Sequence, residues 1–147
     1  MRPLLSLLLL VAAVRCGPDR SQLPPRGDET AAASWLADGA WREWACEAPH
    51  LSRGSSPHGP NRVCNNAALV AHAGEVDLPV GAASVKELFA DDLVTPNGFA
   101  LLLKAGPQER YWYVRTEDGR FASGVGVPLC EGCHAAAPDY VFTVVPR

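Results

Sequence analysis

Methionine is nearly absent from this 147-residue chain: the one such residue is Met1, so a processed chain keeps no thioether as a soft metal ligand. Basic clusters are missing too. Lys and Arg number 13 against 16 Asp and Glu, a formal net charge of -3 and a pI near 5.8. No stretch concentrates the cations that a phosphate backbone requires, which excludes a nucleic-acid partner from the reading. No internal repeat is visible, which sets solenoids and propellers aside. No apolar run reaches the roughly 20 residues of a bilayer-spanning helix. Charged residues are sparse, 20% against 48% hydrophobic, and that balance belongs to a single globular domain, not to a disordered chain.

What is present begins with Arg2 and an apolar run from Leu4 to Val14, which together read as a signal peptide over residues 1–15. A cysteine follows directly, in Ala13-Val14-Arg15-Cys16-Gly17. This resembles the acylation site of bacterial lipoproteins, except that Arg15 stands where such sites carry a small residue. Two readings of Cys16 therefore stand: a lipidated first residue of the mature chain, or a remnant of an ordinary cleaved signal. Either way the expected location is outside the cytoplasm, in the periplasm or cell envelope, with a lipid anchor as the only membrane attachment. Residues 16–30 are rich in Pro, Arg and Ser and read as a flexible tether. The folded domain is then 31–147.

Within that domain Thr30 is a candidate cap for a helix from Ala31 to about Cys46, with Trp35, Leu36, Trp41 and Trp44 as its bulky positions and Gly39 as an imperfection. Residues 47–61 read as a loop, and Asn66 to Ala73 as a short helix. Segments rich in Val, Leu, Phe, Tyr and Trp predict strands near Arg62–Asn65, Ala83–Phe89, Phe99–Lys104, Tyr111–Arg115 and Tyr140–Val145. Pro96-Asn97-Gly98 and Glu117-Asp118-Gly119 punctuate them as turns. The expected fold class is α+β, mainly an antiparallel β-sheet with an N-terminal helix, the chemistry lying near the C-terminus.

The sharpest motif is Cys130-Glu131-Gly132-Cys133-His134, the C-x-x-C-H spacing of c-type haem attachment. Two thiols add across the two porphyrin vinyl groups, and the adjacent imidazole folds under the iron as proximal ligand. One covalent haem c, with His134 on its iron, is the cofactor expected. A zinc knuckle competes but needs two further ligands at suitable spacing, which Cys46 and Cys64 do not supply. A redox dithiol would place the pair at the start of a helix in a βαβ unit, whereas these cysteines lie between sheet-like segments. Five cysteines are an odd number for an exported chain. With Cys130 and Cys133 on haem and Cys16 at the export signal, Cys46 and Cys64 remain as a disulfide pair.

His/Met ligation of the iron is excluded because Met1 belongs to the signal. His50, His58 and His72 are the candidate distal ligands, and a five-coordinate iron open to a small ligand is the alternative. An open site favours binding a gaseous or nitrogenous ligand over outer-sphere electron transfer, for which a redox partner protein would be needed.

The order Ser56-Pro57-His58-Gly59, Arg62-Val63, Asn65, Pro79-x-Gly81, Val85-Lys86-Glu87, Gly98, Tyr111-Trp112-Tyr113, Cys130-x-x-Cys133-His134 and Asp139-Tyr140-Val141-Phe142-Thr143 resembles the cytochrome P-460 family and its cytochrome c′-beta relatives, over about Trp35 to Val145. The resemblance implies a sheet-rich haem protein, commonly a homodimer, that binds nitric oxide or oxidises hydroxylamine as a haem oxidoreductase. It also implies that Lys86 matches the lysine that forms a second covalent link to the porphyrin edge. One departure is that Ala135-Ala136-Ala137 stands where hydroxylamine-oxidising members carry a carboxylate soon after the proximal histidine. Glu131, Glu87 and Asp139 are the substitutes in reach of the sequence as a base. Arg62, Arg110 and Arg115 are candidates for pairing the haem propionates.

Overall fold

A computed structural model of the chain describes residues 23–48, 56–119, 121–143 and 145. The expected signal peptide, Cys16, residues 17–22 of the tether and His50 lie outside the described residues. Among the described residues no helix is long and apolar enough to cross a membrane.

Helix α1 (Glu29–Asp38) begins two residues earlier than the sequence suggests, because the cap is Asp28 and not Thr30: its carboxylate accepts from the backbone N–H of Thr30 and of Ala31. The helix also ends early. Gly39 takes the left-handed conformation at φ 71° and closes it, so the expected run to Cys46 is broken into α1, a 3-10 turn at Ala40–Glu43 and a strand. Part of the expected tether lies against the domain: Leu23 packs on the core, and Arg26 donates to the Ala105 carbonyl at 2.6 Å.

The sheet consists of β1 (Ala45–Cys46), β2 (Asn61–Asn65), β3 (Ala83–Phe89), β4 (Pro96–Lys104), β5 (Arg110–Thr116) and β6 (Phe121–Val125). The strands follow one another in chain order and every neighbouring pair is antiparallel, so the α+β class with a mainly antiparallel sheet is as expected. Short helices α2 (Ala67–Ala71) and α3 (Pro128–His134) complete the elements, with a 3-10 turn at Pro138–Tyr140. Cys46 and Cys64 are register partners on β1 and β2, and they form the expected disulfide.

Because side chains alternate across a strand, register fixes two faces. One face carries Cys64, Val85, Leu101, Leu103, Tyr111 and Tyr113, buried beneath Ala32 and Leu36 of α1 and Trp41. Trp41 is held there by its indole N–H, which donates to the Leu36 carbonyl at 2.9 Å, and by an edge contact with Phe99 at 5.8 Å. The other face carries Leu88, Ala100 and Val114, with Ala122 and Cys130 packed on them. The middle of β4 is apolar at consecutive positions because both faces are covered.

Two sequence expectations fail here. Pro96-Asn97-Gly98 is not a turn but the start of β4; the turn before it is organised by Asp92, whose carboxylate accepts from the backbone N–H of Val94 and Thr95. Gly98, at φ 118°, sits where a Cβ would collide with the backbone of Arg115 on β5. Tyr140–Val145 is not a strand either. Tyr140 ends the 3-10 turn, residues 141–143 line the second face of the sheet without regular structure, and the Val145 N–H donates to Asn65 Oδ1 at 2.6 Å, while β6, which the sequence did not announce, takes the sheet edge.

Candidate functional site

The second sheet face and the C-terminal segment enclose a cavity of about 360 Å³, within the range of roughly 300–1,000 Å³ common for small-molecule and cofactor sites. Register builds its floor. Lys86 lies opposite Ala100, Ala100 opposite Val114, and Val114 opposite Ala122, while Ser84, Leu102 and Trp112 form the adjacent row. Alanine at two of those positions keeps the floor low, and Lys86 is the one charged side chain on it. Asn66 fixes the start of β3 by accepting from the Ala83 N–H at 3.0 Å and donating to the Gly81 carbonyl at 2.7 Å.

Helix α3 forms the opposite wall. Pro128 at its first turn suits a position whose N–H has no helical partner. Cys130, Cys133 and His134 all reach the cavity from this helix. The cysteine pair therefore sits on a short helix, not between strands as expected. Both thiols are free, Cys130 half-buried and Cys133 exposed. Burial pushes the Cys130 thiol up, with further contributions from Cys133 and Glu131, the opposite of the lowered pKa of a redox-active dithiol.

His134 Nδ1 is 2.8 Å from the Tyr140 carbonyl, so this nitrogen donates and Nε2 is left as the basic one. Burial holds the imidazole below its usual pKa; the Tyr140 carbonyl works against this and the charge of Lys86 adds to it. The balance favours the neutral ring, the form that binds a metal. Trp112 and Phe142 flank it, with ring centroids 5.0 and 5.2 Å away. His58 lines the same cavity, its ring 6.2 Å from that of His134. The Trp112 indole N–H, in a side chain only 3% exposed, has no hydrogen-bond partner among the described residues.

Other sequence candidates fall elsewhere. His72 is turned to the Ala68 carbonyl at 2.9 Å. Arg62 donates to the Glu47 carbonyl at 2.7 Å, and Arg110 is ion-paired with Asp139, so neither is placed as a propionate partner. Arg115 lies in the row of β5 that faces α1, beside Phe99 and Phe121. Of the proposed bases, Glu87 is on the far face, 3.8 Å from Arg42, and Asp139 is committed to Arg110 and Lys104. Glu131 is not among the residues lining the cavity. The sequence missed the Tyr140 carbonyl, since a backbone acceptor leaves no mark on residue type.

The group expected here is a haem, and the residues fit one. Two free thiols and an imidazole with its Nε2 unspent share one wall, the surroundings are largely apolar, and an orphaned buried donor lies at Trp112. A zinc ion held by protein alone takes four ligands, whereas no group of three or more His, Cys, Asp or Glu side chains suited to a metal ion occurs among the described residues. Comparison with protein-family models, with curated proteins and with solved structures finds no match for this chain.

Proposed function

We propose that the chain is an exported, single-haem c-type cytochrome of the P-460 type that binds a small nitrogen species such as nitric oxide. The observation that carries this reading is the convergence on one cavity of Cys130, Cys133 and His134 with Lys86, whose strand lies far away in sequence. When bound, the haem would supply an iron able to take a small ligand and to change its redox state. The chain's own part is distinct. Cys130 and Cys133 would hold the group by thioether bonds, each sulfur adding to one vinyl carbon and its proton going to the neighbouring carbon. His134 would offer Nε2 to the iron while its Nδ1–H is held by the Tyr140 carbonyl. Trp112, Val114, Phe142 and the alanines of the floor would keep water from the macrocycle.

Ligand binding without turnover is the better-supported form of this function, because Glu87 and Asp139 are engaged elsewhere and Ala137 packs where a base was sought. Hydroxylamine oxidation is the second reading, and one observation favours it: His58 lines the cavity and has the chemistry of a general base. The decisive experiment expresses the full chain with a haem-attachment system. Wild type is expected to keep its colour through acid-acetone extraction and to bind nitric oxide in the ferrous state, while Cys130→Ala with Cys133→Ala retains no covalent haem. A colourless wild type carrying stoichiometric zinc refutes the proposal. Turnover of hydroxylamine, abolished by His58→Ala, would select the second reading.

A further inference from the structure

Beside the cavity, on the same sheet face and where Lys104 of β4 pairs with Arg110 of β5, lies a buried charge cluster that the proposed function does not use. Asp139, its side chain 1% exposed, is ion-paired with Arg110 and, at 2.7 Å, with Lys104, whose side chain is 4% exposed. The same carboxylate accepts from the Leu78 N–H at 2.8 Å. Lys104 also reaches Asp77, which is 78% exposed. Buried ion pairs contribute little net stability, so their use is sought in what they fix.

What this cluster fixes is a strained turn. Asp139 and the adjacent Tyr140 both have positive φ, 41° and 66°, a conformation costly for residues with a Cβ. Arg110 spans them, pairing with the Asp139 carboxylate and covering the Tyr140 ring at 4.2 Å. The product of that turn is the direction of one carbonyl, that of Tyr140, which receives His134 Nδ1. We infer that Asp139, clamped by Arg110 and Lys104, is a positioning residue that aims the Tyr140 carbonyl at His134 and so sets how strongly this imidazole donates to a bound iron. The inference rests on the haem reading for its last step and on the geometry alone for the first.

The hydrogen bond to Nδ1 raises the basicity of Nε2, and an outer partner of this kind tunes a metal centre without touching it. Asp139→Asn removes the charge that holds both cations and frees the turn. In the haem-loaded protein it is expected to keep covalent haem, lower the ferrous iron–histidine stretching frequency in resonance Raman and raise the reduction potential. Asp77→Asn removes a charge from the same cluster but does not touch the turn, so its stretching frequency is expected to match wild type. Equal frequencies in Asp139→Asn and Asp77→Asn overturn the inference. If Asp139→Asn does not fold, Asp139→Glu keeps the charge and displaces the carboxylate by one methylene; an unshifted frequency there overturns it equally. Nitrogen NMR of His134 in the full chain separates this from the haem reading. A wild type without covalent haem refutes the haem, yet a His134 proton fixed on Nδ1 and released in the Asp139 variants still supports the aiming role, and an unchanged tautomer rejects it.

Discussion

Lys86 has two identities open to it, and its placement narrows them. A lysine on a solvent-facing strand position normally extends to water, but this one, on the inner strand β3, is half-buried on the cavity floor between Val63 and Ala100 and close enough to His134 to depress its pKa. A C–N bond from Lys86 to the porphyrin edge would replace a C–H bond, a two-electron oxidation that needs a peroxide-class oxidant. Trypsin digestion of protein loaded with haem in the presence of such an oxidant is expected to give one haem-bearing species that contains both the Cys130–His134 segment and Lys86. Release of the Lys86 peptide from haem moves the assignment to the c′-beta-like form. Lys86→Met is expected to leave the thioether-bound haem in place, since both thiols lie on α3.

Among the elements, β1 is the weakest, a strand of 2 residues held to β2 by the Cys46–Cys64 bridge as much as by its ladder. The bridge spans 18 positions, a loop for which chain entropy gives about 3 kcal/mol. Cys46→Ala with Cys64→Ala is expected to lose about that much in urea unfolding. Alkylation of both thiols in unfolded, unreduced wild type would contradict the bridge. A second prediction concerns β4 and β5 at Gly98, where the Arg115 backbone leaves no room for a Cβ. Gly98→Ala forces a Cβ against the Arg115 backbone at a positive φ and is expected to cost about 1–3 kcal/mol. Thermal melting against wild type reads the loss, and an unchanged midpoint would show that the strands part freely at this point.

These elements also show what residue type could and could not reveal. The strand runs of β2 to β5 were legible because branched and aromatic residues sit between turn signals, and the disulfide because the other cysteines had separate claims. Gly98 misled for a physical reason: a glycine demanded by close strand approach looks the same in sequence as one demanded by a turn. Tyr140–Val145 misled likewise, because Tyr140, Val141 and Phe142 are apolar to line a cavity and not to pair in a sheet. The cysteines and histidine of the candidate site could be named from spacing alone. Asp139, Arg110 and Lys104 could not be joined from sequence, since the ion pairs link positions 29 and 35 residues apart.

At the scale of the whole molecule, the uninterrupted order β1 to β6 governs when each part can form. Every strand pairs with its neighbour in sequence, and β3 to β6 are joined by short connections, so most of the sheet can pair without contacts from the C-terminal end. The segment from Pro128 onward, which carries the thiols, the imidazole and the strained turn, is tied to the sheet by contacts such as Val145 with Asn65, 80 positions away, and loop-closure entropy predicts that it docks after the sheet has formed. The floor of the cavity is thus expected to form before its wall. On the proposed haem reading, a floor folded first would receive the flat group while the wall stood open, and the last segment would then close over it like a clasp, so that attachment and completion of the fold would be one event.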